Sequence, residues 1–467
     1  MHAPSGTPSA PAFVLNNIHV VAHGNELRPA RLAVRDGRVA AWDDACPADW
    51  PRCDGRGLTL LPGVIDPHTH FDDPGYTWRE DFAHGTRAAV AGGVTTVFDM
   101  PDTCVPPVTT HAALQLKIDA VTPHAMCDFG LWGGVSAHAL HDAHWRANMD
   151  ALWRAGVIGF KTYALSGMPT FAHLSYAQFE DVLAHAAGMR ALVGLHAEDA
   201  AIVAAETARL AGRTDMAAYA AARPVRAETE AIRRAGACAL RTGAHLHIVH
   251  LSSGSGGDDV ARLRAAGVEI STETCPQYLS FADDDFGRLG SLIKCAPPIR
   301  APDERARLWQ HLDTTITMLA TDHAPCPLRE KHTGNAFTDY GGMPGVELLL
   351  PWALTYGWHA GRLTLQRVIE LTSRAAARRF GLWPRKASLA PGADADFALV
   401  DLTASYTVHG EALHSKARFT PFEGARFQGS VRETWLRGMQ VFCNGAFAAP
   451  PGRFLHRAGT PPAGHTA

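Results

Sequence analysis

The chain has 467 residues, 46% of them hydrophobic and 19% charged, in the range of an ordinary soluble globular protein and long enough for a large barrel or two to three domains. Its formal net charge of −3 supplies no basic field for nucleic acid or an anionic membrane surface. No run of about 18 apolar residues occurs, so no membrane span is expected. The nine cysteines are scattered without a C-x-x-C pair, which reads as reduced thiols in a cytoplasm rather than a disulfide framework.

Met1 to Pro11 is a Pro/Ser/Ala tail with neither a basic start nor an apolar centre, and it is not expected to act as a signal peptide. Phe13 to Val21 reads as a strand, and Arg31 to Val34 and Arg38 to Trp42 as a hairpin about Asp36-Gly37. From Gly63 to Ser388 strands alternate with Ala- and Leu-rich helical stretches such as those around Arg87 to Ala91 and Trp145 to Arg154. The strand candidates are Leu58 to His70, Val94 to Phe98, Val157 to Thr162, Ala191 to His196, His245 to Leu251, Val268 to Thr274 and Ile316 to Thr321. The end of the chain returns to short strands: Phe397 to Val400 follows the turn-rich Pro391 to Asp394, and Val431 to Arg437 and Met439 to Phe442 flank Gly438. Repeated βα units predict a parallel sheet, and about 325 residues fit a TIM (β/α) barrel with insertions. The predicted architecture is therefore a barrel domain over 63–388 and a small β-sandwich domain assembled from 1–62 and 389–467. A doubly wound open sheet is the alternative, but no Gly-rich phosphate loop opens any of the units.

Histidine is abundant, with 25 copies, and several potential metal ligands fall at the C-terminal ends of the predicted strands. In a TIM barrel those ends converge on the face where active sites are built. His68-Thr69-His70 puts two imidazoles on one side of a strand, because side chains alternate with period two. Alone, such a pair is more often two ordinary histidines near a turn; the flanking Pro62-Gly63 and Asp73-Pro74-Gly75 argue instead for a strand that ends in a sharp loop. Lys161 follows the apolar run Val157 to Phe160, where burial would lower its pKa. A neutral amine can add carbon dioxide and become a carbamate able to bridge cations. His196 precedes Ala197-Glu198-Asp199, and His250 is the better ligand candidate of its segment, with His247 a possible supporting residue. Asp322 could bind metal and carry a proton, or merely cap a helix.

The run LPGVIDPHTHFDDPG (61–75) resembles the first metal loop of the cyclic amidohydrolases, the group that holds dihydroorotase, hydantoinase and allantoinase. GVIGFKTY, GLHAED, HIVHLSS and TDHAPC resemble its other ligand segments, in the same order. The resemblance spans nearly the whole chain. It implies a TIM barrel, two divalent cations (zinc the expected identity) held by His68, His70, carboxylated Lys161, His196, His250 and Asp322, and a homotetramer. It also implies ring-amide hydrolysis by a hydroxide shared between the cations, with Asp322 as acid–base and backbone groups near Ala296 and Gly341 holding the ring.

Within the group, the stretches WREDFAHGTRAAVAGGVTTVFDM, ETEAIRR, TCPQYL, KCAPPIR and HSKARFTPFEG are most similar to allantoinases, implying allantoin as substrate. Gly341 to Gly345 looks closer to hydantoinase, although Ser166 stands where hydantoinases carry a tyrosine. Where dihydroorotases have donors for a substrate carboxylate, this chain has Asp72, Asp102 and Cys326, and carboxylates facing an anionic substrate repel it. Asp72 and Asp102 are thus expected at the substrate cavity, with a neutral ring as ligand. Hydantoinase/dihydropyrimidinase or dihydroorotase-like activity is the alternative within the class. A catalytically inactive scaffold is the alternative outside it.

Overall fold

Every residue of Val64–Thr69, Val94–Asp99 and Leu192–His196 is buried, so these strands are covered on both faces, as the strands of a closed parallel barrel must be. The computed structural model describes residues 12–457; the tail Met1 to Pro11 lies outside them. Strands β1 (Phe13–His23), β2 (Glu26–Arg35), β3 (Arg38–Trp42), β4 (Arg52–Asp54) and β5 (Thr59–Pro62) open the chain. The barrel follows with β6 (Val64–Thr69), β7 (Val94–Asp99), β8 (Asp128–Leu131), β9 (Gly133–Gly134), β10 (Phe160–Tyr163), β11 (Leu192–His196), β12 (His245–Ile248), β13 (Ile270–Thr274) and β14 (Met318–Leu319). Strands β15 (Phe397–Thr407), β16 (Arg426–Leu436), β17 (Met439–Cys443) and β18 (Ala446–Phe447) close it.

The barrel strands pair in parallel, β6-β7-β8 and β9 through β14 in sequence order. β8 and β9 are one barrel position: Trp132 between them donates its N–H to Asp99 O (3.0 Å), and Gly133 N–H donates to Gly159 O (2.9 Å) on the other side. The ring closes between the segment after β14 and β6, where His70 N–H reaches His323 O at 2.8 Å and Thr321 N–H reaches Asp66 Oδ1 at 3.1 Å. Helices pack outside. Val225–Thr242 shows why: its buried positions Ala227, Ala231, Ile232, Ala235 and Ala239 recur at three- and four-residue spacing. The helix Phe82–Ala91 begins at Asp81, whose carboxylate accepts from His84 N–H, a cap worth about 1 kcal/mol.

The two ends of the chain merge into one nine-stranded sheet, ordered β18-β17-β16-β15-β5-β1-β2-β3 with β4 beside β1. In a flat sheet β16 and β1, three neighbours apart, would be about 14 Å from each other. Yet the rings of Phe13 and Trp435 lie 5.2 Å apart, so the sheet folds over a core that includes Leu32, Leu60 and Phe397, which makes the sandwich.

The predicted strand Leu58 to His70 is two strands, β5 in the sandwich and β6 in the barrel. The segment 128–134 is a barrel strand that sequence patterning did not pick out. Its three glycines disguise it, and packing demands them: a Cβ on Gly130 would lie 2.8 Å from Phe98, and one on Gly134 would lie 2.6 Å from Phe171. Several strands are also shorter than predicted, with β12 ending at Ile248 and β14 spanning only Met318–Leu319.

Candidate metal centre

The C-terminal ends of the barrel strands surround a cavity of about 470 Å³ whose wall includes His68, His70, Lys161, His196, His250 and Asp322. These six come from five strand ends spread over the barrel. His68 lies in β6 and His70 one residue beyond it, Lys161 in β10, and His196 at the tip of β11. His250 and Asp322 follow β12 and β14 in left-handed backbone, at φ 38° and 49°, a turn that ends the strand alternation. Among the described residues no helix begins at Asp322, so it is not a helix cap.

His68 Nε2 and His70 Nε2 lie 3.2 and 3.3 Å from Asp322 Oδ1, and the three side chains could share one ion. His196 Nδ1 faces His250 Nε2 at 3.0 Å, two imidazole nitrogens presented to one point. His68 Nε2, Lys161 Nζ and His250 Nδ1 are buried without an aligned hydrogen-bond partner. Buried polar atoms are rarely left so, and unpaired imidazole nitrogens beside the Asp322 carboxylate suit a divalent cation. Burial lowers the pKa of His68, His196 and His250, the last well below the usual range, so the free imidazoles are neutral and able to ligate. For His70 burial acts in the same sense, but the Asp322 carboxylate outweighs it and the pKa rises. Burial lowers Lys161 as well, toward the amine that can take up carbon dioxide. Asp322 is pushed up by burial but held below its usual value by His68 and His70.

Side chains behind the cavity fix these rings. Glu273, on fully buried β13, accepts from His68 Nδ1 with one oxygen and lies 3.1 Å from His247 Nε2 with the other. Its partners hold its pKa far below the usual carboxylate range despite the burial. Glu198 lies 2.9 Å from His196 Nε2 and accepts two bonds from Arg223. His247 thus supports the candidate ligand His68 through Glu273. Glu273, Glu198 and Arg223 were not picked out from the sequence. For Glu273 the available signal was a carboxylate within an otherwise uncharged barrel strand, which is costly unless paired.

The other sequence candidates divide. Ala296, Gly341 and Asp102 line the cavity, and Asp102 Oδ2 accepts from the Tyr163 hydroxyl at 2.8 Å. Asp72 lies behind the wall, fully buried in left-handed backbone at φ 59°, and burial pushes its carboxyl well above the usual range, toward the neutral acid. The expected pair of repelling carboxylates is therefore reduced to Asp102. Three cations the sequence argument did not weigh, Arg79, Arg223 and Lys294, also line the wall. Ser166 and Cys326 are not among the lining residues. A second carboxylate cluster, Asp128 with Asp394 and Asp396, already holds its cation: Lys386 Nζ is 2.6, 3.0 and 2.6 Å from the three.

The sequence pattern of the "Amidohydrolase family" matches residues 59–441. The chain is 40% identical over 417 residues to the allantoinase of Solibacter usitatus, covering 88% of this chain and 90% of that one. It is 40% identical over 442 residues to the allantoinase of Rubrobacter xylanophilus, covering 93% and 95%. Among solved structures, the L-hydantoinase (dihydropyrimidinase) from Arthrobacter aurescens matches with a TM-score of 0.90 at 30% identity, over 96% of this chain and all of that one.

Proposed function

The chain belongs to the amidohydrolase family, and we propose that it opens the ring of allantoin to give allantoate, using two divalent cations. The observation that carries the reading is the convergence of six ligand-type side chains on one cavity, with buried nitrogens of His68, Lys161 and His250 left unpaired. The two relatives at 40% identity named allantoinase support the substrate. His68, His70 and Asp322 would hold one cation and His196 and His250 the other, with zinc the proposed metal and carboxylated Lys161 the bridge. When bound, such cations lower the pKa of water toward about 7 and polarise the scissile carbonyl.

The chain's own groups do the rest. Asp322 takes the proton of the attacking water and returns it to the leaving ring nitrogen, a transfer typically worth about 10² to 10⁴ in rate. Backbone groups at Ala296 and Gly341 hold the ring amide against that face. Glu273 and Glu198 keep His68 and His196 turned toward the cavity. Asp102 and Tyr163 form a hydrogen-bonded wall beside Lys161, whose Nζ lies 4.7 Å from the tyrosine ring centre.

The likeness to the Arthrobacter hydantoinase favours a second reading, hydrolysis of hydantoins or dihydropyrimidines at the same site. A panel of allantoin, hydantoin, dihydrouracil and dihydroorotate, assayed with and without a chelator, separates the two. Chelator-sensitive turnover with allantoin preferred is the expected result. Turnover that survives metal removal defeats the metal reading, and purification without about two metals per chain points to an inactive scaffold. We further propose domain limits of 1–62, 63–388 and 389–467, a homotetramer, a cytoplasmic location and a role in breakdown of purine-derived ureides. Among the described residues no helix is long and apolar enough to cross a membrane.

A further inference from the structure

Lys294 and Arg223 stand on the cavity wall without a place in the scheme above. Both cations lie near the Tyr219 ring, Lys294 Nζ 4.6 Å and Arg223 Cζ 5.5 Å from its centre. That ring is fixed by its hydroxyl, which donates to Cys295 O at 3.1 Å, between Lys294 and Ala296 in sequence. Arg223 in turn holds Glu198, which lies against His196, so this corner of the cavity adjoins the proposed cation pair.

The two cations differ in what they offer. Arg223 binds Glu198 through Nε and Nη2, and its charge is neutralised there. Among the described residues nothing accepts from its Nη1, which leaves two N–H groups of a cavity-lining side chain for a neutral carbonyl. Lys294 is 4% exposed, and among the described residues its ammonium bonds only two main-chain carbonyls, those of Asp339 and of Phe337 at 3.4 Å. The nearby Asp339 carboxylate is bound instead to Ser291 and Thr333. An ammonium so dehydrated gains from a further acceptor, and a ligand lacking one leaves it short of a partner.

We infer that Lys294 and Arg223 form a subsite for a hydrogen-bond-accepting substituent on the substrate ring, such as a ureido group, so that the protein selects substituted cyclic ureides over the bare ring. The inference rests on the proposed ring-amide hydrolysis and names what that site selects.

The test compares kcat/KM for allantoin and unsubstituted hydantoin in the wild type and in Lys294→Met, with metal content and melting temperature measured in parallel. Allantoin is expected to lose about 10- to 100-fold, the worth of a hydrogen bond to a charged group, while hydantoin changes little. Lys294→Arg should recover part of the preference. An equal loss on both substrates would overturn the subsite and leave Lys294 as a strut for the 337–341 segment. If Lys294→Met does not fold, Lys294→Gln, which keeps a donor without the charge, gives the same comparison. Calorimetric binding of the two compounds reads the preference without turnover: equal affinities would refute the subsite even if the ring-opening activity stands. A clear preference would uphold the subsite even if that activity fails.

Discussion

Glu273 hydrogen-bonds Nδ1 of His68 where both side chains are wholly buried, and this bond turns His68 Nε2 toward the cavity. A carboxylate behind a ligating imidazole fixes its tautomer and its aim. Glu273→Gln is therefore expected to weaken metal retention about 10- to 100-fold, read by titration against a competing chelator, with the fold kept. Unchanged metal affinity would show that Glu273 serves stability alone.

In the proposed scheme Asp322 both holds a cation and carries the proton. Asp322→Asn keeps a ligating oxygen but no base, so kcat should fall about 10²- to 10⁴-fold. Metal analysis of the same preparation is the check. Near-normal turnover at full metal content would remove Asp322 from the acid–base role.

Lys294 predicts a pH dependence. Burial pulls its pKa down to about 8, against the opposing pull of Asp339, while Arg223 adds to the lowering. Cys295 and Lys331 also face it; burial pushes the thiol up to about 12, which keeps it neutral, and brings the second lysine down to about 8. Lys294 is therefore an ammonium below about pH 8 and an amine above it. The ratio of kcat/KM for allantoin to that for hydantoin should be full on the acid side and decline as pH rises through about 8. Taking the ratio cancels titrations common to both reactions. A flat ratio in the wild type, matching Lys294→Met, would refute the assignment.

Lys386 is the stability counterpart at the opposite end of the barrel. Its ammonium joins Asp128 at the start of β8 to Asp394 and Asp396 ahead of β15, and Arg437 adds a second cation on Asp128. Lys386→Met would bury that charge cluster with one cation fewer. Removing one partner of a buried pair costs about 3–5 kcal/mol, so a large fall in denaturation midpoint is expected, with substrate preference unchanged in the surviving native protein. An unaltered midpoint would show that the cluster is not needed to join the two domains.

Much of this was legible from local chemistry. Alternation in a strand put His68 and His70 on one side, and the apolar run before Lys161 foretold its burial, because both depend only on neighbours in sequence. The strand at 128–134 was hidden for the opposite reason: its glycines answer to Phe98, Phe160 and Phe171, which come from elsewhere in the chain. Asp72 was misjudged because the alternation that served for His68 stops at Thr69, and a left-handed residue then sends its carboxyl behind the wall.

The sequence by itself determined the (β/α) alternation, the strand-rich ends and the six ligand-type residues, since periodicity and turn chemistry are short-range. Only the tertiary structure decided which carboxylates face the cavity, that Glu273 and Glu198 stand behind the histidines, and that Lys294 and Arg223 share a corner with Tyr219. Those relations join residues up to 205 positions apart, as for His68 and Glu273. They exist only because barrel closure brings distant strand ends together, and burial then makes each unpaired charge costly enough to require a partner.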